Sequence, residues 1–178
     1  LASDFIDMFF ELLGICLLGG WLSFSEQKRI KKRNERQSQW LEENKLHLAH
    51  WFTVDDLNHL KRGGRVSGAA AFFGTMLNIK PVLHVDDAGH LIPMEKVRGR
   101  KASLDALVAH MEKDAVDPAS QTVFISHGDC RADAEYVADL VREKFGTQDI
   151  RIHSIGPVIG SHSGPGTVAL FYLGRTRG

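Results

Sequence analysis

Three glycines and a proline crowd into the eight residues Gly160-Ser161-His162-Ser163-Gly164-Pro165-Gly166-Thr167. Such a stretch interrupts regular helix and strand, because glycine lacks the restraint of a Cβ and proline lacks an amide donor. Apolar runs flank it, Ile155–Ile159 before and Thr167–Leu173 after. The pattern predicts a glycine-rich turn joining two buried strands, at a sheet end where a loop on a rigid scaffold can touch a ligand. His162, set between Ser161 and Ser163, is the first candidate functional side chain.

Upstream of the turn, apolar spacing alternates between strand and helix periods. Leu46–Val54 reads as a strand. A short helix follows it, with Thr53 as its cap, Asp56 as the acid of the capping box and Gly63-Gly64 as its stop. Ser67–Leu77 reads as an apolar, small-residue helix, and Asp86–Gly89 as a hairpin turn. Leu104, Leu107, Val108 and Met111 fall at helical spacing within Lys101–Ala115. Gln121–Gly128 is a buried strand and Arg131–Gly146 an amphipathic helix. Ile150–His153 and Val168–Tyr172 are the last strands. This alternation predicts an α/β fold, a mixed β-sheet packed with helices.

Composition narrows the function. A chain of 178 residues with 43% apolar and 25% charged residues suits an ordinary globular domain. Its formal net charge of zero argues against a nucleic-acid binder, whose footprint is basic. Cys16 and Cys130 stand far apart, which fits a reduced, cytoplasmic compartment. His84, His90, His110, His127 and His153 have no metal-ligand spacing, so no metal site is expected.

The first residues read differently. The chain begins at Leu1, as a fragment would. Phe9–Phe24 carries one charge, Glu11, ahead of a basic run at Lys28, Arg29, Lys31, Lys32, Arg33 and Arg36. A membrane span needs ~20 apolar residues, and Asp7 and Glu11 shorten this one, so the stretch reads as a packed or mis-packed helix ahead of a membrane segment, and no integral span is expected.

From Trp40 onward, four segments in order resemble the C-terminal domain of the DegV family: FTVDDLNHLKRGGRVS, LNIKPVLHVDDAGHL, KVRGRKASLDAL and IGPVIGSHSGPGTVALFYLG. The resemblance implies a bacterial protein of two α/β domains that holds one long-chain fatty acid between them. The acyl chain would lie in an apolar tunnel. Its carboxylate would be held by hydroxyls of the N-terminal domain and by the histidine of the glycine-rich turn. It further implies a partner, a fatty acid kinase to which the lipid is presented. The chain itself would catalyse nothing and need no cofactor beyond the bound fatty acid. Carried onto this sequence, the ligand-binding residues are His162 with Ser161, Gly164 and Gly166, the arginine of the GGR motif, Arg65, and Ile79. The acyl tail would touch the Ser67–Leu77 helix and the Ile79–Leu83 strand. Arg98 falls where the family has an arginine thought to engage the kinase, with Arg100 as its nearest substitute; the alternative for this stretch is a solvated basic patch. Chemistry agrees about His162, since a carboxylate beside apolar surface needs donors, and imidazole supplies one.

Residues 40–178 are therefore read as a DegV-type lipid-binding domain. Residues 1–39 are read as a divergent or out-of-frame remnant of the helical region upstream, because residues 5–38 lack the family's pattern. The family's N-terminal carboxylate contacts have no counterpart here. A competing reading is enzymatic. Cys130 with a nearby histidine suggests a hydrolase, with Ser126 as another nucleophile, and the glycine-rich turn suggests phosphotransfer, although no GK[ST] follows it.

Overall fold

The structure, a computed structural model, describes residues 25–64 and 78–177. The Phe9–Phe24 stretch, Arg65 and the Ser67–Leu77 helix lie outside the described residues. The chain divides into two compact units between Lys45 and Leu46. In the first, residues 25–44 form one exposed helix, α1, and the boundary expected at residue 40 falls inside it. Among the described residues no helix is long and apolar enough to cross a membrane.

The second unit is an α/β domain. Its strands are β1 (Leu48–Thr53), β2 (Ile79–Val85), β3 (Leu91–Arg98), β4 (Val123–His127), β5 (Ile150–Ser154) and β6 (Val168–Leu173). Its helices are α2 (Leu57–Arg62), α3 (Arg100–Asp114), α4 (Arg131–Phe145) and α5 (Pro157–Ser163). The six strands form one sheet in the order β3-β2-β1-β6-β4-β5. Only β4 and β5, joined through α4, run parallel; the other neighbours are antiparallel. The mixed sheet expected from the sequence is thus present.

Alternation along the strands separates two apolar layers. Ala49, Trp51, Val82, Val123, Ile125, Val168, Leu170 and Tyr172 pack with the stripe Leu104, Leu107, Val108 and Met111 of α3 and with Ala134, Val137, Ala138 and Val141 of α4. Phe52 of β1, Val54 just past it and Leu83 of β2 form the other layer, closed by Leu60 of α2. The α4 helix stops at Gly146 in the left-handed region (φ 72°), whose N–H donates to the Arg142 carbonyl.

Two local expectations are corrected. Thr53 does not cap α2; it lies buried in β1 and its hydroxyl donates to the Pro81 carbonyl at 2.7 Å, because pairing of β1 with β2 brings that acceptor within reach. Ile155–Ile159 is not a buried strand, and Gly160–Ser163 is not turn but helix. Pro157 begins α5, where a fixed φ and a missing N–H cost nothing. Val158 and Ile159 consequently stand 71% and 61% exposed. The helix ends at Ser163, so the glycine-rich turn proper is Gly164-Pro165-Gly166.

Three histidines of the domain are shifted by burial. Burial, with Arg177 as a second cause, pushes His50 down to about 4. Burial also holds His84 and His110 below the usual imidazole range, against the opposing pull of Asp86 and Asp87 on the former and of Glu95 on the latter. His110 stacks on Trp51 with centroids 3.5 Å apart, and His84 stacks on Trp51 at 5.2 Å. A histidine whose folded pKa is depressed binds its proton first in the unfolded chain. Its penalty is absent above pH 6.5 and grows as pH falls toward the folded value. Urea unfolding at pH 7.5 and at pH 5 should show lower stability at pH 5, and His50→Gln should reduce that difference. An unchanged pH dependence in His50→Gln would contradict the assignment.

Candidate functional site

The turn is fastened to the end of the sheet where β4 and β6 pair, as the sequence predicts. The N–H of Gly166 donates to the Gly128 carbonyl at 2.7 Å, and the N–H of Gly128 donates to the Thr167 carbonyl at 2.8 Å. The Thr167 hydroxyl, buried, donates to the carbonyls of Gly164 at 2.8 Å and Ser163 at 3.1 Å. The Cys130 thiol donates to the Thr167 carbonyl at 3.2 Å. With these groups satisfied internally, the turn is a rigid platform.

Its glycines are required by close approach and by backbone conformation. Gly164 has φ 78° and ψ 176°, a region essentially reserved for glycine, and a Cβ there would meet the His59 ring at 2.5 Å. Gly166 has φ 76°, and a Cβ there would meet the Asp55 Cβ at 2.5 Å. Gly63, read from the sequence as a helix stop, is also a seat: a Cβ on it would meet Nδ1 of His162 at 2.5 Å. Asp55 is fixed by Lys80, whose Nζ donates to its carboxylate at 2.6 Å and to its carbonyl at 3.0 Å.

His162, half-buried in the last turn of α5, therefore rests on α2. Helix α2 also supplies Leu60, with Leu57 partly buried, to the apolar layer of Phe52, Val54 and Leu83, which Val85, Leu91 and Ala169 extend. Ser161 is exposed, and its hydroxyl is used within its own helix, donating to the Val158 carbonyl at 2.8 Å. Ile79 opens β2, half-buried and paired with Arg98 of β3. Arg98 is exposed. Arg100 turns inward, with Nε 2.8 Å and Nη2 2.7 Å from the same Asp133 oxygen and Nη2 3.7 Å from the Cys130 sulfur. His59 and Gly63 were not singled out for the site by the sequence. The one available signal is the spacing that puts His59 a helical turn before Gly63.

The enzymatic reading finds no support at Cys130. Burial pushes its thiol up, against the opposing charge of Arg100, and its proton is engaged by Thr167. The nearby His127 is oriented by the backbone, its Nδ1 accepting from the Cys130 N–H at 3.3 Å. A thiolate nucleophile needs a lowered pKa and a base facing it. Among the described residues no group of three or more His, Cys, Asp or Glu side chains could hold a metal ion.

Comparison with known proteins gives a consistent picture. The chain matches the family model of the uncharacterised DegV family over residues 31–175. It is 50% identical over 164 residues to a DegV domain-containing protein of Clostridium perfringens, across 91% of this chain and 56% of that protein. The crystal structure of a DegV family protein from Eubacterium eligens loaded with heptadecanoic acid has a TM-score of 0.71 at 22% identity, a likeness of fold, covering 83% of this chain and 53% of that one. DegV from Bacillus subtilis, a fatty acid binding protein, has a TM-score of 0.63 at 32% identity, covering 77% and 48%. The chain thus spans about half the length of the relatives it matches.

Proposed function

The chain belongs to the DegV family, and on that premise we propose that it is the C-terminal, lipid-binding part of a protein that holds one long-chain fatty acid and presents its carboxylate to a fatty acid kinase. The chain acts as a carrier in the cytoplasm and performs no catalytic step. The observation that carries this reading is that His162 lies against Gly63, directly after the helix α2 whose Leu60 closes the apolar layer of Phe52, Val54 and Leu83. An acyl chain needs such a layer, and its carboxylate needs a donor at the layer's edge. The fatty-acid binding of the Bacillus subtilis relative supports the same ligand class. In this proposal Ile79 and Arg65 border the ligand, Gly164 and Gly166 aim the turn, Ser161 flanks it, and Arg98 faces the kinase.

Full-length DegV protein carrying this chain should purify with a stoichiometric long-chain fatty acid, detected by mass spectrometry of a denatured extract. His162→Ala should weaken binding by roughly 5- to 150-fold, the equivalent of leaving a charged acceptor short of a donor. A stoichiometric nucleotide in the extract, or unaltered affinity in His162→Ala, would count against the reading.

A further inference from the structure

Two imidazoles, rather than one, meet where α2 and α5 pack. Each lies on a glycine of the opposite segment. His59 of α2 covers Gly164, with Cγ and Cδ2 2.5 Å and Nδ1 3.0 Å from where a Cβ would stand. His162 of α5 covers Gly63, with Nδ1 at 2.5 Å and Cγ at 3.3 Å from the corresponding point. The two seats are linked, because the Gly63 N–H donates to the His59 carbonyl at 3.0 Å. Among the described residues neither ring has a hydrogen-bond partner. Close packing against a glycine restricts where each ring can lie, and the Nε2 of neither ring is among the atoms nearest to its glycine.

We propose that His59 is a second ligand of the fatty-acid head group, beside His162. The proposal rests on the reading of this site as a carboxylate-binding one. A carboxylate offers two oxygens, while one imidazole donates to it through one N–H at a time. Its two oxygens accept about four hydrogen bonds in all, so a head group lowered against apolar surface gains from a further donor beside the turn histidine and the hydroxyls of the N-terminal domain. Helix α2 is suited to supply the second donor, since it also supplies Leu57 and Leu60 to the apolar layer. One helical segment thereby addresses both the head and the tail of the ligand.

The test uses full-length DegV protein carrying this chain and measures oleate affinity by calorimetry. His59→Ala should weaken binding roughly fivefold to a hundredfold. His59→Phe keeps a ring over Gly164 without its nitrogens and should be weakened similarly with an unchanged melting midpoint. His59→Gln should recover part of the loss by restoring an N–H. Imidazole nitrogen resonances of both His59 and His162 should shift when oleate is added. Wild-type affinity in His59→Phe beside a loss in His162→Ala would overturn the role of His59 and leave the fatty-acid reading standing. Absence of oleate binding by the unaltered protein would overturn that reading itself.

Discussion

Gly164→Ala is expected to lower folding stability by about 2–4 kcal/mol, and the melting midpoint by roughly 4–16 °C. Two causes add. At φ 78° and ψ 176° a side chain strains the backbone by about 1–3 kcal/mol. The new methyl would also stand 2.5 Å from the His59 ring, so that ring must leave its seat and loosen α2 from α5. Retreat of the turn is blocked, because the Gly164 carbonyl accepts from Thr167 and its N–H donates to the Gly160 carbonyl. Gly160→Ala is the internal control. That residue lies within α5, and a Cβ there meets nothing closer than Ile155 Cγ2 at 4.0 Å. It should be neutral or stabilising by up to about 1 kcal/mol, as alanine is in a helix. Thermal melts of the two variants decide the matter: equal midpoints would mean that Gly164 is not held as described.

The contrast between these glycines shows what was legible in the sequence. Helices α3 and α4 declared themselves through their periodic apolar stripes, and the β2–β3 hairpin through Asp86–Gly89. Local chemistry determines such elements. Helix α5 was missed because a glycine, two serines and a histidine are weak helix formers, and because Val158 and Ile159 look like core residues. Pro157 at the first helical position is its one local signal. Thr53 reads locally as a helix cap, but its acceptor, the Pro81 carbonyl, is supplied by a neighbouring strand, which local sequence does not reveal. The candidate site was half legible for a similar reason. His162 stood out among its glycines, but the seating of His162 on Gly63 and of His59 on Gly164 joins segments far apart in the chain. Arg98 and Arg100, grouped by the sequence as one basic patch, are separated by the structure, one outward and one inward.

That separation yields the other large expected effect. On the proposed presentation of fatty acid to a kinase, Arg98→Ala should leave both fatty-acid affinity and the melting midpoint unchanged while abolishing acyl-phosphate formation. The Arg98 side chain sits exposed at the end of β3 and makes no hydrogen bond or ion pair among the described residues, so its loss disturbs nothing inside the domain. Arg100→Ala should behave in the opposite way. Its side chain is only 22% exposed, and two of its nitrogens converge on one Asp133 oxygen at the start of α4. Removing it leaves that carboxylate unpaired, and hydrogen bonds to charged groups are worth about 1.5–3 kcal/mol, so the midpoint should fall by several degrees, roughly 3–12 °C. The effect should reach the ligand, because Arg100 also approaches the Cys130 sulfur, which donates to the Thr167 carbonyl in the turn. Arg100→Lys should rescue only part of the loss, since an ammonium cannot reproduce the guanidinium's array of donors. Kinase-coupled turnover, oleate affinity and thermal melting measured on all three variants separate the roles. Loss of affinity in Arg98→Ala would place that residue in the pocket. Loss of turnover in Arg100→Ala with an unchanged midpoint would make Arg100 the docking residue, and its inward pairing with Asp133 would then have to open when the kinase binds.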